Sequence, residues 1–184
     1  MTTSDPGSGS FQPKTAVSWQ DKRRVRELMA LHAVSVAISQ NLAEPDALRQ
    51  VLARLLEAFQ LDAGSIYLLN PQTGQGDLAA VQGADESPAP CETTIAPGVG
   101  LCGLALQDGG ARFAVEPAPA ETSDRRQGVG YAVAAIPLLT QNQKLGVLRL
   151  AARRSAPFDP GEVALLSSVA AQLSVAIENL RLRE

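Results

Sequence analysis

The sequence from residue 131 to residue 152 reads Tyr131-Ala-Val-Ala-Ala-Ile-Pro-Leu-Leu139, Thr140-Gln-Asn-Gln-Lys144, Leu145-Gly-Val-Leu-Arg-Leu-Ala-Ala152. Two apolar runs of strand length joined by a few polar residues predict a β-hairpin. Farther on, Asp159-Pro-Gly-Glu162 supplies an N-cap, a proline at the first helical position and an acid placed to reach back to the cap. Apolar residues then recur at helical spacing to the end of the chain, so we expect a long helix after the hairpin.

Length and composition fit one domain with an aliphatic core, since the 184 residues are 45% hydrophobic and only 4% aromatic. A net charge of −3 gives no reason to expect a nucleic-acid partner, which favours a basic patch. Residues 1–14 lack the apolar stretch of a secretory signal, and the uncharged run 163–177 is shorter than the ~20 residues of a membrane span. We therefore expect a soluble, cytoplasmic protein without a membrane span.

The rest of the chain divides into a polar start, two helices and several short strands. Residues 1–17 are rich in Ser, Gly and Pro and are predicted to be disordered, which leaves 18–184 as a single domain. Helices are predicted to open at Ser18 and Pro45, with strands at 65–69, 77–82, 92–95 and 112–115, a short helix at 101–107 and a polar loop at 116–130. Strands grouped between helices at the two chain ends indicate an α+β fold, an antiparallel sheet with helices packed across one face.

Four motifs in this order resemble the GAF domain, a sensory module of signalling proteins. They are Pro97-Gly-Val-Gly-Leu-Cys-Gly103, Ala135-Ile-Pro-Leu138, Leu145-Gly-Val-Leu148 and Phe158-Asp-Pro-Gly-Glu-Val-Ala-Leu-Leu166. The resemblance covers roughly residues 25–182 and implies a GAF/PAS-like antiparallel sheet of about six strands. It places the first, second and last helices on one face, and a short helix with loops over a small-molecule pocket on the other. It also implies a non-catalytic module that dimerises through its terminal helices and regulates a linked output such as a histidine kinase.

Candidate ligand-binding residues are sought around the pocket that this resemblance implies. Arg112, Arg125 and Arg126 are candidates for an anionic ligand, because guanidinium forks suit carboxylate and phosphate. The remaining candidates are Tyr67, Leu101, Cys102 and Tyr131. No metal or cofactor is expected, since His32 is the only histidine and no acidic cluster accompanies it.

The spacing Gly98-x-Gly100-x-x-Gly103 also fits the dinucleotide-binding pattern. That pattern needs an apolar strand directly before it and a full crossover helix after it. Here Pro97 precedes the glycines, and the predicted helix lasts about two turns before Gly109-Gly110. We interpret the glycines as permitting a tight turn and close packing of a helix on the sheet.

Cys91 and Cys102 support an alternative from another class, a thiol-based redox enzyme or sensor. Some GAF-fold proteins reduce free methionine sulfoxide, and Gly100-Leu-Cys-Gly103 with the upstream Cys91 is similar to part of their site. That chemistry needs a nucleophilic thiolate and a resolving thiol. The further cysteine of those enzymes is missing from 116–130, and Arg149 stands near the position of their acidic pair. Cys102 is otherwise read as a small buried residue.

The last helix predicts a homodimer. It carries no charge between residues 163 and 177, and a helix that is apolar on more than one side is buried on more than one side. The first helix shows the same double stripe. The predicted interface residues are Leu28, His32, Leu166, Leu173, Ile177 and Leu180. No stop signal follows residue 180, so we expect the helix to continue into a missing output region, although a purely structural dimerisation domain remains an alternative.

Overall fold

The computed structural model describes residue 28 and residues 45–83, 92–117, 130–141 and 143–181. Within these ranges the chain forms three helices and six strands. They are α1 Pro45–Phe59, β1 Ala63–Leu69, β2 Gly76–Gln82, β3 Thr94–Ile95, α2 Gly100–Asp108, β4 Arg112–Pro117, β5 Gly130–Leu139, β6 Lys144–Ala152 and α3 Pro160–Arg181. The predicted first helix, apart from residue 28, and most of the predicted loop 116–130 lie outside the described residues.

The six strands form one antiparallel sheet in the order β3-β2-β1-β6-β5-β4. The predicted hairpin is confirmed as β5–β6, with a register that runs from Ala132 opposite Ala152 to Leu139 opposite Lys144. Each of these two strands has a further neighbour, β4 beside β5 and β1 beside β6, so both lie inside the sheet. The α+β prediction is therefore correct, and the hairpin occupies the middle of the fold.

One face of the sheet is covered by α1 and α3, and it carries the main core. Leu52 of α1 and Leu173 of α3 are fully buried there, in one cluster with β6 residues such as Leu148. Removing each such leucine from water stabilises the fold by about 1.5–3 kcal/mol. The single apolar face that the sequence shows for 48–59 is the face that α1 buries.

The opposite face carries α2 and smaller side chains. Cys102 and Leu106 of α2 pack there on Tyr67 and Val147 of the sheet. Leu101, in the first turn of α2, contacts this cluster and also a second one, which consists of Ala63, Tyr131, Val133 and Ala151. The predicted division of the helices between the two faces holds for the three described helices.

The start of α3 has the predicted capping box. Glu162 N donates to Asp159 Oδ1 at 2.8 Å, and Asp159 N donates to Glu162 Oε2 at 2.9 Å. Each side chain thus satisfies a backbone N–H that the helix itself leaves without an acceptor. The sequence pattern located this helix start to the residue.

The part of α3 from Pro160 to Asn179 is long and apolar enough to cross a membrane by length and composition alone. The short uncharged run in the sequence therefore does not by itself exclude a membrane span. A core helix of a globular domain passes the same test, and 44% of the relevant window is buried in the protein. Its contacts with β5 and β6 are those of a core helix.

Burial corrects part of the predicted dimer interface. Leu166, Leu173 and Ile177 lie in the core of the protomer itself and leave no surface for a partner. The apolar side of α3 that the sequence assigned to a partner is the side that covers the sheet. Leu28 is 63% exposed, whereas His32 and the side chain of Leu180 lie outside the described residues.

Candidate ligand-binding site

The structure brings four of the seven predicted ligand-binding residues to the sheet face under α2. Tyr67, Cys102 and Tyr131 are buried there, and Leu101 lies half-buried between the two clusters. Tyr67 comes from β1 and Tyr131 from β5, the two strands on either side of β6. These residues share a face because side chains on a strand alternate between its two sides.

Arg112 lies apart from that group. It begins the edge strand β4, its side chain is exposed, and its Nη2 contacts a carboxylate oxygen of Asp108 at the end of α2. An exposed guanidinium that already pairs with a carboxylate contributes less free energy to ligand binding than a buried one would. Arg125 and Arg126 lie outside the described residues.

Two polar residues on the α2 face were not among the predicted ligand-binding residues. Ser65 of β1 and Arg149 of β6 are directly opposite each other in the sheet, and Arg149 is also opposite Ala135 of β5. Ser65 is 0% exposed and Arg149 is 8% exposed, although polar groups of both kinds are usually at the surface. Their signal in the sequence is the interruption of apolar central strands by a polar residue, on the face opposite Leu148 and Leu150.

An acidic residue accompanies the buried arginine. Arg149 Nη2 lies 3.8 Å from Glu116 Oε2 of β4, and the Glu116 side chain is 34% exposed. At this distance the contact is an ion pair and not a hydrogen bond. The pair therefore links the buried centre of the α2 face to the more exposed edge of the sheet at β4.

The glycines before and within α2 allow backbone conformations and a close backbone contact that other residues would not. Gly98 and Gly100 have φ values of 79° and 64°, which favour glycine. A Cβ at Gly103 would lie 2.2 Å from the carbonyl oxygen of Ala96, so the loop and the helix can touch only at a glycine. This geometry agrees with the interpretation of the glycines as a turn and a close contact.

A surface cavity of about 480 Å³ lies elsewhere, at the turn between β1 and β2 and the end of α3. Its polar lining comes from Asn70, Gln72, Asp77 and Arg181. None of the predicted ligand-binding residues within the described ranges lines it. Among the described residues no group of three His, Cys, Asp or Glu side chains is placed to hold a metal ion.

A family model for the GAF domain matches residues 44–177, and the chain belongs to the GAF domain family. The chain is 29% identical over 177 residues to the sensor histidine kinase YhcY of Bacillus subtilis (strain 168), across 89% of this chain and 45% of that protein. It thus spans about half the length of this curated relative.

Solved structures of the same fold include an enzyme and the GAF domain of a phosphotransferase. The free methionine-R-sulfoxide reductase from Neisseria meningitidis, in complex with its substrate, is 25% identical with a TM-score of 0.70, across 91% of this chain and 96% of that one. The GAF domain of a phosphoenolpyruvate-protein phosphotransferase from Coxiella burnetii is 23% identical with a TM-score of 0.64, across 85% and 97%. The second likeness shows the fold alone.

Proposed function

We propose that this chain is a non-catalytic sensory module that binds a small molecule on the sheet face under α2 and regulates a linked output, for example a histidine kinase. We further propose that it works as a homodimer through its terminal helices. The observation that carries the proposal is the match of 89% of the chain to part of a sensor histidine kinase.

The α2 face supports the ligand-binding part of the proposal. Sheet faces that serve only as packing surface are mostly apolar, since a buried charge costs free energy unless it is well paired. Here Arg149, Ser65 and Glu116 occupy the space between two apolar clusters. A few convergent polar groups in an apolar setting are typical of small-molecule sites.

The outer side of α3 supports the dimer. Its exposed residues between 163 and 177 are Ala164, Ser168, Ala171 and Val175, spaced at helical intervals along one side. None of them is charged, and Val175 is 51% exposed. Short side chains of this kind let a second helix approach closely. With the inner side buried by the sheet, this outer side is the surface of α3 that remains for a partner.

Native mass spectrometry of the freshly purified chain tests both parts, with denatured spectra as the control. A dimer that carries a discrete extra mass, lost on denaturation, is the expected result. A dimer without added mass would favour the purely structural dimerisation domain. A monomer would contradict dimerisation through the terminal helices.

A thiol-based reductase is the second candidate, favoured by the similarity to the Neisseria meningitidis enzyme. Cys102 is buried among apolar residues of α2 and the sheet, an environment that disfavours a reactive thiolate. Cys91 lies outside the described residues. The enzyme hypothesis requires free methionine sulfoxide to be turned over with dithiothreitol as reductant, and requires that turnover to stop in Cys102→Ser. We expect no turnover above that of a no-protein control.

A further inference from the structure

We propose that the edge strand β4 pairs with β4 of a second copy of this chain, in an antiparallel register centred on Ala114. This contact goes beyond the proposed sensory function, and it is separate from the outer side of α3. It joins two protomers edge to edge around a two-fold axis, so that the two sheets continue into each other. The backbone, the charges and the apolar side chains of β4 all fit this one register.

The backbone of β4 presents a row of hydrogen-bonding groups at the edge of the sheet. Within the described part of the chain, β4 is the last strand in the sheet order and has β5 as its one sheet neighbour. Gly130 N donates to Ser155 Oγ at 3.0 Å and so points away from Pro117, the residue opposite it. Because hydrogen-bonded and non-hydrogen-bonded pairs alternate along a ladder, the backbone groups of Phe113 and Val115 point outward from the sheet. Such an edge is a template for another strand.

The outward groups select Ala114 as the centre of the pair. In that register Phe113 lies opposite Val115 of the second copy, and Val115 lies opposite its Phe113. Each opposite pair can exchange two N–H···O=C bonds, which uses the outward donors and acceptors of both residues in both copies. A register centred on Val115 would instead place Pro117, which has no N–H to donate, opposite Phe113.

The charges of β4 are complementary in the same register. Arg112 and Glu116 each stand two positions from Ala114, so the arginine of one copy lies opposite the glutamate of the other at both ends of the pair. Arg112 contacts Asp108 within its own protomer. Glu116 lies 3.8 Å from Arg149 within its own protomer. Pairing therefore forms a row of alternating charge across the two copies. Moving the centre by one residue in either direction separates the arginine from the glutamate.

The apolar side chains of β4 are complementary on the other side of the strand. Phe113 packs against the main core, where its ring centroid lies 6.0 Å from that of Phe158. Val115 projects to the same side, because side chains alternate along a strand, and it is 45% exposed. Pairing places this valine beside Phe113 of the second copy, an aromatic and β-branched combination that favours strand pairing. The contact thus covers an apolar side chain that the protomer leaves in water.

The length of β4 makes this a weak contact. The strand has six residues, and a ladder of that length falls in the class of interfaces that bury less than about 1,200 Å². We therefore expect pairing at high protein concentration. A chain that also dimerises through α3 would then associate beyond the dimer.

Disulfide capture tests the register. Ala114→Cys places two thiols at the two-fold axis, where the Cα atoms of a non-hydrogen-bonded pair are about 4.5 Å apart, within the span of a disulfide. Val115→Cys is the matched control, since it is more exposed but its Cα atoms would be more than about 7 Å apart, too far for a disulfide. Both variants carry Cys91→Ser, so the native thiol that remains is the buried Cys102. With diamide as oxidant, we expect covalent dimer to form at least about tenfold faster from Ala114→Cys than from Val115→Cys.

A charge reversal in the cross-linking variant tests the ion pairs. Arg112→Glu, added to Ala114→Cys, places a carboxylate opposite Glu116 of the second copy, and we expect cross-linking to slow at least about fivefold. The difference should shrink at about 1 M salt, because salt screens charges at the edge of a sheet. Arg112→Lys keeps the charge and should cross-link at nearly the unmodified rate.

A further measurement does not depend on access to a thiol. In sedimentation equilibrium at high concentration, the wild type should have a larger average mass than Val115→Lys, because a lysine on an edge strand opposes pairing. Gln50→Lys adds the same charge on the exposed side of α1 and should match the wild type.

The outcomes separate this contact from the sensory proposal. Equal cross-linking of Ala114→Cys and Val115→Cys overturns the register. Equal masses of the wild type and Val115→Lys overturn self-pairing and leave the edge of β4 to a strand of another protein. Neither result bears on a bound ligand mass or on a dimer formed through α3, which native mass spectra test separately.

Discussion

Thr140 Oγ1 donates a hydrogen bond of 2.8 Å to Glu178 Oε1, and this bond ties the turn after β5 to the last part of α3. A second tie lies at the same end of the sheet, where Arg181 Nη2 donates to the carbonyl oxygen of Leu69 at 3.2 Å. Leu69 ends β1, the strand that also carries Ser65. The end of α3 is therefore attached to the strands that form the proposed ligand site.

Replacing Thr140 by valine should loosen the end of α3. Valine keeps the shape of threonine and removes the hydroxyl that holds Glu178, so the last turn should fray more often. We expect hydrogen exchange of the backbone amides near residues 176–181 to become about two- to tenfold faster, with global stability changed by less than about 1 kcal/mol.

Thr140→Ser is the control for this prediction, because it keeps the hydroxyl at the same position. Its amide exchange near the end of α3 should match the wild type. Equal exchange in the valine and serine variants would show that the tie contributes nothing to the order of the last turn.

The capping box predicts a second stability effect. Asp159→Ala removes the acceptor of the Glu162 N–H and should lower the free energy of unfolding by about 1 kcal/mol. Asp159→Ser retains a capping oxygen and should recover most of that loss. Chemical denaturation of the three proteins measures both differences. Equal midpoints for the alanine and serine variants would exclude a capping role for this residue.

The sequence was informative about the fold wherever the signal is local. The hairpin and the start of α3 depend on turn residues, strand length and caps, all of which lie within a few positions of each other. The extent of β4 is a different case, since the strand continues through Glu116 and Pro117. Those residues pair with Tyr131 and Gly130, a contact across the chain that local composition does not show.

The site was harder to predict for the same reason. In the sequence, Arg149 was notable only because it stands near the position of an acidic pair in the reductases. The register of β6 between β1 and β5 gives it Ser65 and Ala135 as neighbours. The sequence also showed two uncharged sides of α3 without showing which one the sheet would cover. Burial assigns Leu173 to the core and leaves Val175 outside.

The close contact between α2 and its preceding loop predicts a sharp difference between two glycines. Gly103→Ala would place a Cβ 2.2 Å from the carbonyl oxygen of Ala96, so backbone must move. We expect a loss of about 1–3 kcal/mol in the free energy of unfolding, the usual cost of overpacking.

Gly110→Ala is the matched control. Nothing lies within 4 Å of a Cβ built there, so this variant should equal the wild type or gain about 0.4–1 kcal/mol. Thermal unfolding followed by circular dichroism compares the two variants. If Gly103→Ala proved as stable as Gly110→Ala, the loop would have to be free to move away from α2.

The proposed dimer predicts that charge on the outer side of α3 separates the protomers. Val175→Glu places a carboxylate at the C-terminal end of the uncharged side formed with Ala171 and Ser168, and we expect the dimer Kd to rise at least about tenfold. Because Val175 is 51% exposed, the fold itself should change in stability by less than about 0.5 kcal/mol. Gln50→Glu adds the same charge on the exposed side of α1 and should leave the dimer intact. Light scattering over a dilution series measures the dimer Kd of both variants. A Val175→Glu dimer as tight as the wild type would show that the interface does not include the outer side of α3.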